Sequence, residues 1–297
     1  MAGLAVSPSV SASSLGETAM KIGAFTKSFQ DWDIPTVCRR FREIGLDGLD
    51  LTVRRRGHIE PVDVPTKLPA AARSALEAGS EILFITTDIT DATPEAERTL
   101  ATAAELGIER FKLGYYRYKP FGNLVEQLDE TRKRIDGVIK IAKKHGILPC
   151  VHVHSGTFVP SHGTQLYQLI SDYSPDEVGA YVDMLHMVLE GGADGWRQGL
   201  DLLSPWIALV AVKNFWWEKG ERDDYGQQRW KHKVVPIAEG ISPMPDYVKT
   251  LKKAGYDGIY SLHSEYKGSH SFEDMDTEGC LKQTAVDLKF FKGLFGA

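Results

Sequence analysis

Residues 110–154 read RFKLGYYRYKPFGNLVEQLDETRKRIDGVIKIAKKHGILPCVHVH. The stretch holds a short apolar run, a long amphipathic stretch and a second short apolar run. The two runs, RFKLGYY (110–116) and ILPCVHVH (147–154), are near-continuously apolar, as parallel strands covered on both faces are. Between them, 121–145 carries Val125, Leu128, Ile135, Ile139 and Ile141 on one helical face and closes on Lys143-Lys144-His145-Gly146. Cations in a last turn followed by glycine mark a helix C-terminus. The order strand, helix, strand is a βαβ unit.

The unit recurs in both directions. Upstream, the runs MKIGAFTKSF (20–29), GLDGLDLTV (45–53) and EILFITTDI (81–89) are separated by helical patterns at 34–44, 65–78 and 93–106. Downstream, GAYVDML (179–185), WIALVAVKNF (206–215) and DGIYSLHSE (257–265) alternate with patterns at 163–172, 194–203, 244–254 and 273–294. Residues 216–235 read as a long polar loop. Eight strand–helix repeats in roughly 275 residues predict a (β/α)8 TIM barrel, an α/β fold in one domain over 20–297. A doubly wound open sheet is the alternative, but it brings a Gly-rich phosphate loop after strand one, where this chain has GAFTKSFQ at 23–30.

The chain has 297 residues, a formal net charge of −5, 42% hydrophobic and 25% charged residues. Those proportions exclude a disordered chain, and the acidic balance argues against a nucleic-acid partner. Cys38, Cys150 and Cys280 are too dispersed for a disulfide framework or a thiolate zinc site. No apolar run suits a membrane helix. Residues 1–19, MAGLAVSPSVSASSLGETA, read as a leader outside the fold. It is either a disordered start, which leaves the chain cytoplasmic, or the end of an export signal, which sends it to the periplasm.

Barrel active sites lie at the C-terminal ends of the strands, and the polar residues collect there. Strand two ends in Asp50 and Arg54-Arg55-Arg56-Gly57-His58, strand four carries Lys112 and Tyr115, and strand five ends in His152 and His154. Strand six gives Asp183 with His186 beyond it. Strand seven gives Lys213, Asn214, Trp216 and Trp217, and strand eight His263 and Glu265. Residues two apart share a strand face, so His152 points with His154 and His263 with Glu265. Polar side chains inside a barrel are costly without partners. A lone histidine here is a hydrogen-bonded core residue; the converging set reads as a site. A His152, Asp183 and His263 ligand set would suit a divalent ion such as Mn, Zn, Mg, Fe or Co. Glu265, His154 and Lys213 are the candidates for moving protons; the plain alternative for Lys213 is an ion pair with Asp183 or Glu265. Trp216 and Tyr115 could wall a sugar ring, or simply pack the rim, with Trp217 and Trp230 beside them. Arg54 could hold an anionic group, or belong to a solvated charged loop.

With these motifs the chain resembles the sugar phosphate isomerase/epimerase family, the xylose-isomerase-like barrels that also include endonuclease IV. The resemblance runs from Met20 to about Phe291. It rests on MKIGAF, GLDGLDL, VHVHSGT, VDMLHMVLEGG, VAVKNFWW, IAEG and GYDGIYSLHSEY. It implies a divalent metal held by Glu, Asp, His and Glu after strands five to eight, with both glutamates moving protons. Those places hold His152, Asp183, Ala211 and His263 here, so only Asp183 is kept, and Glu265 stands two residues past the last. The resemblance also implies that His186 contacts substrate. It matches Lys213-Asn214 to a Lys-Asp pair and Glu239-Gly240 to a loop motif. The endonuclease branch is disfavoured because it uses more His and Glu ligands and a basic surface.

The expectation is a metal-assisted isomerase or epimerase, or a related lyase or dehydratase, acting on a small sugar or sugar derivative. Two alternatives stay open: a carbohydrate-binding barrel without turnover, and a partner subunit with a degenerated metal site. Assembly into a homo-oligomer is open as well.

Overall fold

The computed structural model describes residues 20–119 and 121–296; the leader expected at 1–19 lies outside them. Eight parallel strands close a barrel: β1 (Lys21–Phe25), β2 (Gly48–Thr52), β3 (Glu81–Thr86), β4 (Arg110–Lys112), β5 (Leu148–His152), β6 (Gly179–Asp183), β7 (Ile207–Val212) and β8 (Ile259–Leu262). Each pairs with its neighbours in sequence, and β8 closes on β1 with Lys21 opposite Ile259 and Ala24 opposite Leu262. This is the (β/α)8 TIM barrel that the eight repeats predicted.

The helices follow in order: α1 (Ile34–Glu43), α2 (Val64–Glu77), α3 (Pro94–Glu105), α4 (Leu124–His145), α5 (Gly163–Ile170), α6 (Met184–Leu203), α7 (Met244–Lys253) and α8 (Thr277–Gly293). Their starts have local causes. The Asp33 and Thr93 side chains accept the backbone N–H groups of Thr36 and Ala96, with proline in the first turn of each helix, which supplies N-caps and a pre-set φ. The main core lies between helices and strands. A smaller cluster, Leu83, Phe84, Cys150, Tyr181, Leu209, Ala211 and Ile259, comes from strands alone and fills the barrel interior.

Three expectations change. Residues 216–235 are not a loop: Asn214–Arg222 and Gln228–Val235 form an antiparallel hairpin, turning at 223–227 with Gly226 at φ +81°. Most of its side chains are exposed, so it lacks the one-sided alternation that marks a half-buried strand. The sixth helix starts at Met184, ten residues before the expected 194, and breaks at Gly192, whose φ of 61° and ψ of −152° suit only glycine. Val125 faces solvent, because no residue of α4 before Gln127 is buried.

Candidate active site

All eight strands run the same way, so their C-termini meet at one end. His152 ends β5, Asp183 ends β6, Lys213 follows β7 and His263 follows β8. At that end Lys213 Nζ lies 3.3 Å from Asp183 Oδ2 and 3.1 Å from Glu265 Oε2. The ammonium therefore bridges two carboxylates, and the plain reading of Lys213 holds for both candidate partners at once. Glu265 Oε1 also accepts from Lys27.

Asp183 is held from a second direction. It caps α6, its Oδ1 accepting the His186 backbone N–H at 3.2 Å, where the positive end of the helix favours a carboxylate. Burial alone would raise the Asp183 carboxyl, but the neighbouring His186 ring, the Lys213 ammonium and the His152 hydrogen bond hold it well below the usual carboxylate range. Glu265 behaves likewise: burial opposes ionisation, and Lys213 and Lys27 overcome it. The two carboxylates in turn keep Lys213 protonated against its own burial.

Around this triplet stand neutral imidazoles. Burial pushes His152 and His186 well below the ordinary histidine value, and pushes His154 down to about 4 with help from Lys213. Carboxylate and carbonyl oxygens only accept, which fixes two tautomers. His152 Nε2 is 3.2 Å from Asp183 Oδ2, so it carries the hydrogen and Nδ1 faces the Tyr115 hydroxyl at 3.3 Å. His154 Nδ1 is 3.1 Å from the Ser155 carbonyl, so its Nε2 holds the lone pair. The His154 ring lies 3.8 Å from that of His186, and His186 Nδ1 is 2.8 Å from Ser155 Oγ.

The structure thus brings together His152, His154, Asp183, His186, Lys213, Glu265 and Tyr115. His263 is beside them, with Nδ1 4.0 Å from Glu265 Oε2, but its Nε2 turns to the Tyr181 hydroxyl at 2.8 Å. Arg54 reaches the rim over the ring of Phe25, which stacks on His263. Trp216, on the hairpin, packs edge-on against Phe272. Trp217 and Trp230 are half-exposed on the same hairpin.

The expected ligand set does not fit a metal here. Among the described residues no three His, Cys, Asp or Glu side chains are grouped to hold an ion. The causes are visible. His152 offers Asp183 a hydrogen rather than a lone pair, His263 Nε2 faces Tyr181 and Asp50, and an ammonium fills the space between the two carboxylates.

Sequence reading gave no role to a second buried network below this cluster. Asp50 accepts from Thr86, from Ser261 at 2.9 Å and from Tyr181 at 3.3 Å. Tyr181 thus links that network to His263. Strand parity held the signal, since Tyr181 lies two residues before Asp183 and shares its face. The sequence assigns no role to Lys112 either. Its Nζ sits 3.3 Å from the centre of the Tyr115 ring and has no hydrogen-bond partner among the described residues. Burial, reinforced by Arg54, holds its ammonium well below the usual lysine value.

A family model described as xylose isomerase-like TIM barrel matches residues 38–283. The chain belongs to the xylose isomerase-like TIM barrel family. No curated protein sequence matches it. Among solved structures, this family member is similar to D-psicose 3-epimerase from Clostridium cellulolyticum H10, solved with D-tagatose, at 13% identity and a TM-score of 0.65, covering 93% of this chain and 99% of that one. It is also similar to 3-keto-D-glucoside 4-epimerase from E. coli, at 13% identity and a TM-score of 0.66, covering 92% and 99%. A third is a xylose isomerase-like barrel from Mycobacterium smegmatis in complex with magnesium, at 14% identity and a TM-score of 0.64, covering 93% and 97%. At these identities the likeness is one of fold. In this family member Asn214, next to Lys213, serves the architecture. Its amide donates to the carbonyls of Ile237 and Ser242 and accepts from the Phe215 and Ser242 backbone, tying the 237–242 loop to the end of β7.

Proposed function

We propose that the chain is an enzyme of the isomerase or epimerase type that moves a proton at a carbon beside a carbonyl of a small sugar or sugar derivative. The observation that carries this is an ion-paired Asp183–Lys213–Glu265 triplet, buried at Asp183 and Lys213, beside His154, a neutral imidazole whose Nε2 is free to accept a proton. Family membership and the fold shared with sugar epimerases support the substrate class.

In this reading His154 Nε2 takes the proton from carbon. The electron pair moves onto the carbonyl oxygen as an enolate; a proton delivered to the opposite face of the same carbon completes an epimerisation, and one delivered to the neighbouring carbon, with the hydroxyl proton passing to the former carbonyl oxygen, completes an isomerisation. Glu265 is held as the carboxylate by its two lysines. His186 and Tyr115 line the space beside His154 and would orient the sugar; Arg54 stands at the rim. No step is routed through a metal, since the donors do not converge on one. The test is to incubate the chain with ketoses, aldoses and keto-glycosides in D2O and follow carbon-bound hydrogen by NMR. Deuterium incorporation or a new sugar supports the proposal. Sugars that bind without exchange would point to the second reading, a carbohydrate-binding barrel without turnover, which the lost ligand positions favour.

A further inference from the structure

We infer that Lys213 is itself the cation of this site. Its ammonium stands in the place between Asp183 and Glu265 that a divalent ion would need, and the barrel holds its substrate oxygen with that fixed charge. For its chemical use the inference rests on the proton-transfer reading above; the occupancy of the place does not.

The argument starts from geometry. A divalent ion held by these carboxylates would sit about 2.0–2.2 Å from their oxygens. Lys213 Nζ is 3.3 Å from Asp183 Oδ2 and 3.1 Å from Glu265 Oε2, so the ammonium already fills the volume between them. An ion could enter only by expelling it, and the side chain is buried, with 5% of its surface exposed.

Charge leads to the same conclusion. Asp183 and Glu265 bring two negative charges, and Lys213 and Lys27 bring two positive ones. The four cancel, and a dication added among them would meet two ammonium groups with no uncompensated carboxylate to bind. The nitrogen donors agree: His152 presents an N–H to Asp183, and His263 Nε2 faces Tyr181.

The position in the chain matters too. Lys213 directly follows β7, and Asn214 pins the chain just past it through four hydrogen bonds. The root of the side chain is therefore fixed. An ammonium has three N–H donors. Glu265 Oε2 accepts one of them at 3.1 Å, Asp183 Oδ2 pairs with the charge at 3.3 Å, and no other partner occurs among the described residues. An N–H is therefore left to offer to a substrate oxygen. As a base draws a proton from the adjacent carbon, the negative charge growing on that oxygen meets a charge already in place, which lowers the barrier without reorganisation.

The experiment reads Mn2+ binding, by electron paramagnetic resonance and elemental analysis, with no substrate present. Wild type is expected to hold far less than one equivalent. Lys213→Met keeps the apolar stem and removes the charge, leaving the buried Asp183 without its ammonium and Glu265 paired with Lys27 alone. Checked for folding by circular dichroism, it is expected to bind about one equivalent of Mn2+ and to lose it again when Asp183→Asn is added. Stoichiometric Mn2+ on wild type that Asp183→Asn removes would overturn the inference. So would a folded Lys213→Met variant that binds none. Either result leaves the deuterium-exchange test of the enzyme reading untouched.

Discussion

His154 donates its Nδ1 hydrogen to the carbonyl oxygen of the very next residue, Ser155, at 3.1 Å. That single contact sets which ring nitrogen can act as a base, and burial sets when. With the ring's pKa pushed down to about 4, His154 stays neutral through the physiological range. Deuterium exchange should hold steady from neutrality downward and fall as pH drops through about 4. His154→Gln should abolish most of the exchange while leaving sugar binding within a few fold. The same shift affects stability. The folded pKa lies below the unfolded value near 6.5, so the unfolded chain binds more protons between the two. The contribution of His154 to stability is complete above about 6.5 and is lost as pH falls towards 4. Denaturant titrations across that window should show a midpoint falling with pH, less steeply in His154→Gln.

Removing Lys213 should have two separable effects. Lys213→Ala should slow exchange by about a hundred- to a thousandfold, the usual cost of losing a preorganised charge at a developing oxyanion. Leaving the buried Asp183 without its ammonium, with Glu265 still held by Lys27, should also destabilise the fold by about 3–5 kcal/mol, as breaking a buried pair does. Lys213→Arg should recover much of the stability and little of the rate, because a planar fork does not present one compact charge. Steady-state kinetics and urea denaturation on the same preparations would separate the two effects.

Asp50 is the acceptor for Thr86, Ser261 and Tyr181 within the barrel. Asp50→Ala would strand three buried hydroxyl donors, each costing about 1–3 kcal/mol if nothing replaces the carboxylate. The expected result is a variant that is poorly folded or shows a strongly lowered denaturation midpoint. Asp50→Asn, which keeps one oxygen acceptor, should be milder.

Gly240 faces Asn214 so closely that an added Cβ would lie 2.1 Å from Asn214 Cγ. Gly240→Ala should therefore push the Asn214 amide out of its hydrogen bonds and destabilise by about 1–3 kcal/mol. Asn214→Ala should be costly as well. The double variant should cost less than the sum of the two, since the clash and the hydrogen bonds involve the same side chain. A double-mutant cycle in urea checks the sign.

The barrel was legible because eight covered parallel strands leave eight apolar runs, and because helix ends carry local signals such as the Asp33 and Thr93 caps. The end of the barrel that holds the polar cluster followed from strand direction alone. Other features were hidden. Parity told which side His263 faces, but not that Tyr181, from a strand two places away around the barrel, would take its Nε2. The resemblance implied a metal among the side chains after β5, β6, β7 and β8, and no periodicity reveals that a lysine four methylenes long reaches across between Asp183 and Glu265. The hairpin from Asn214 to Val235 escaped because a strand exposed on both faces has the composition of a loop.

That hairpin begins at the residue after Lys213 and carries Trp217 and Trp230, which are 48% and 55% exposed, whereas Trp196 is buried at 1%. Trp32, Trp206 and Trp216 are half-buried between these extremes. Iodide should quench Trp217 and Trp230 most and Trp196 least, so red-edge emission becomes a label-free signal weighted towards the end of the barrel where Lys213 stands.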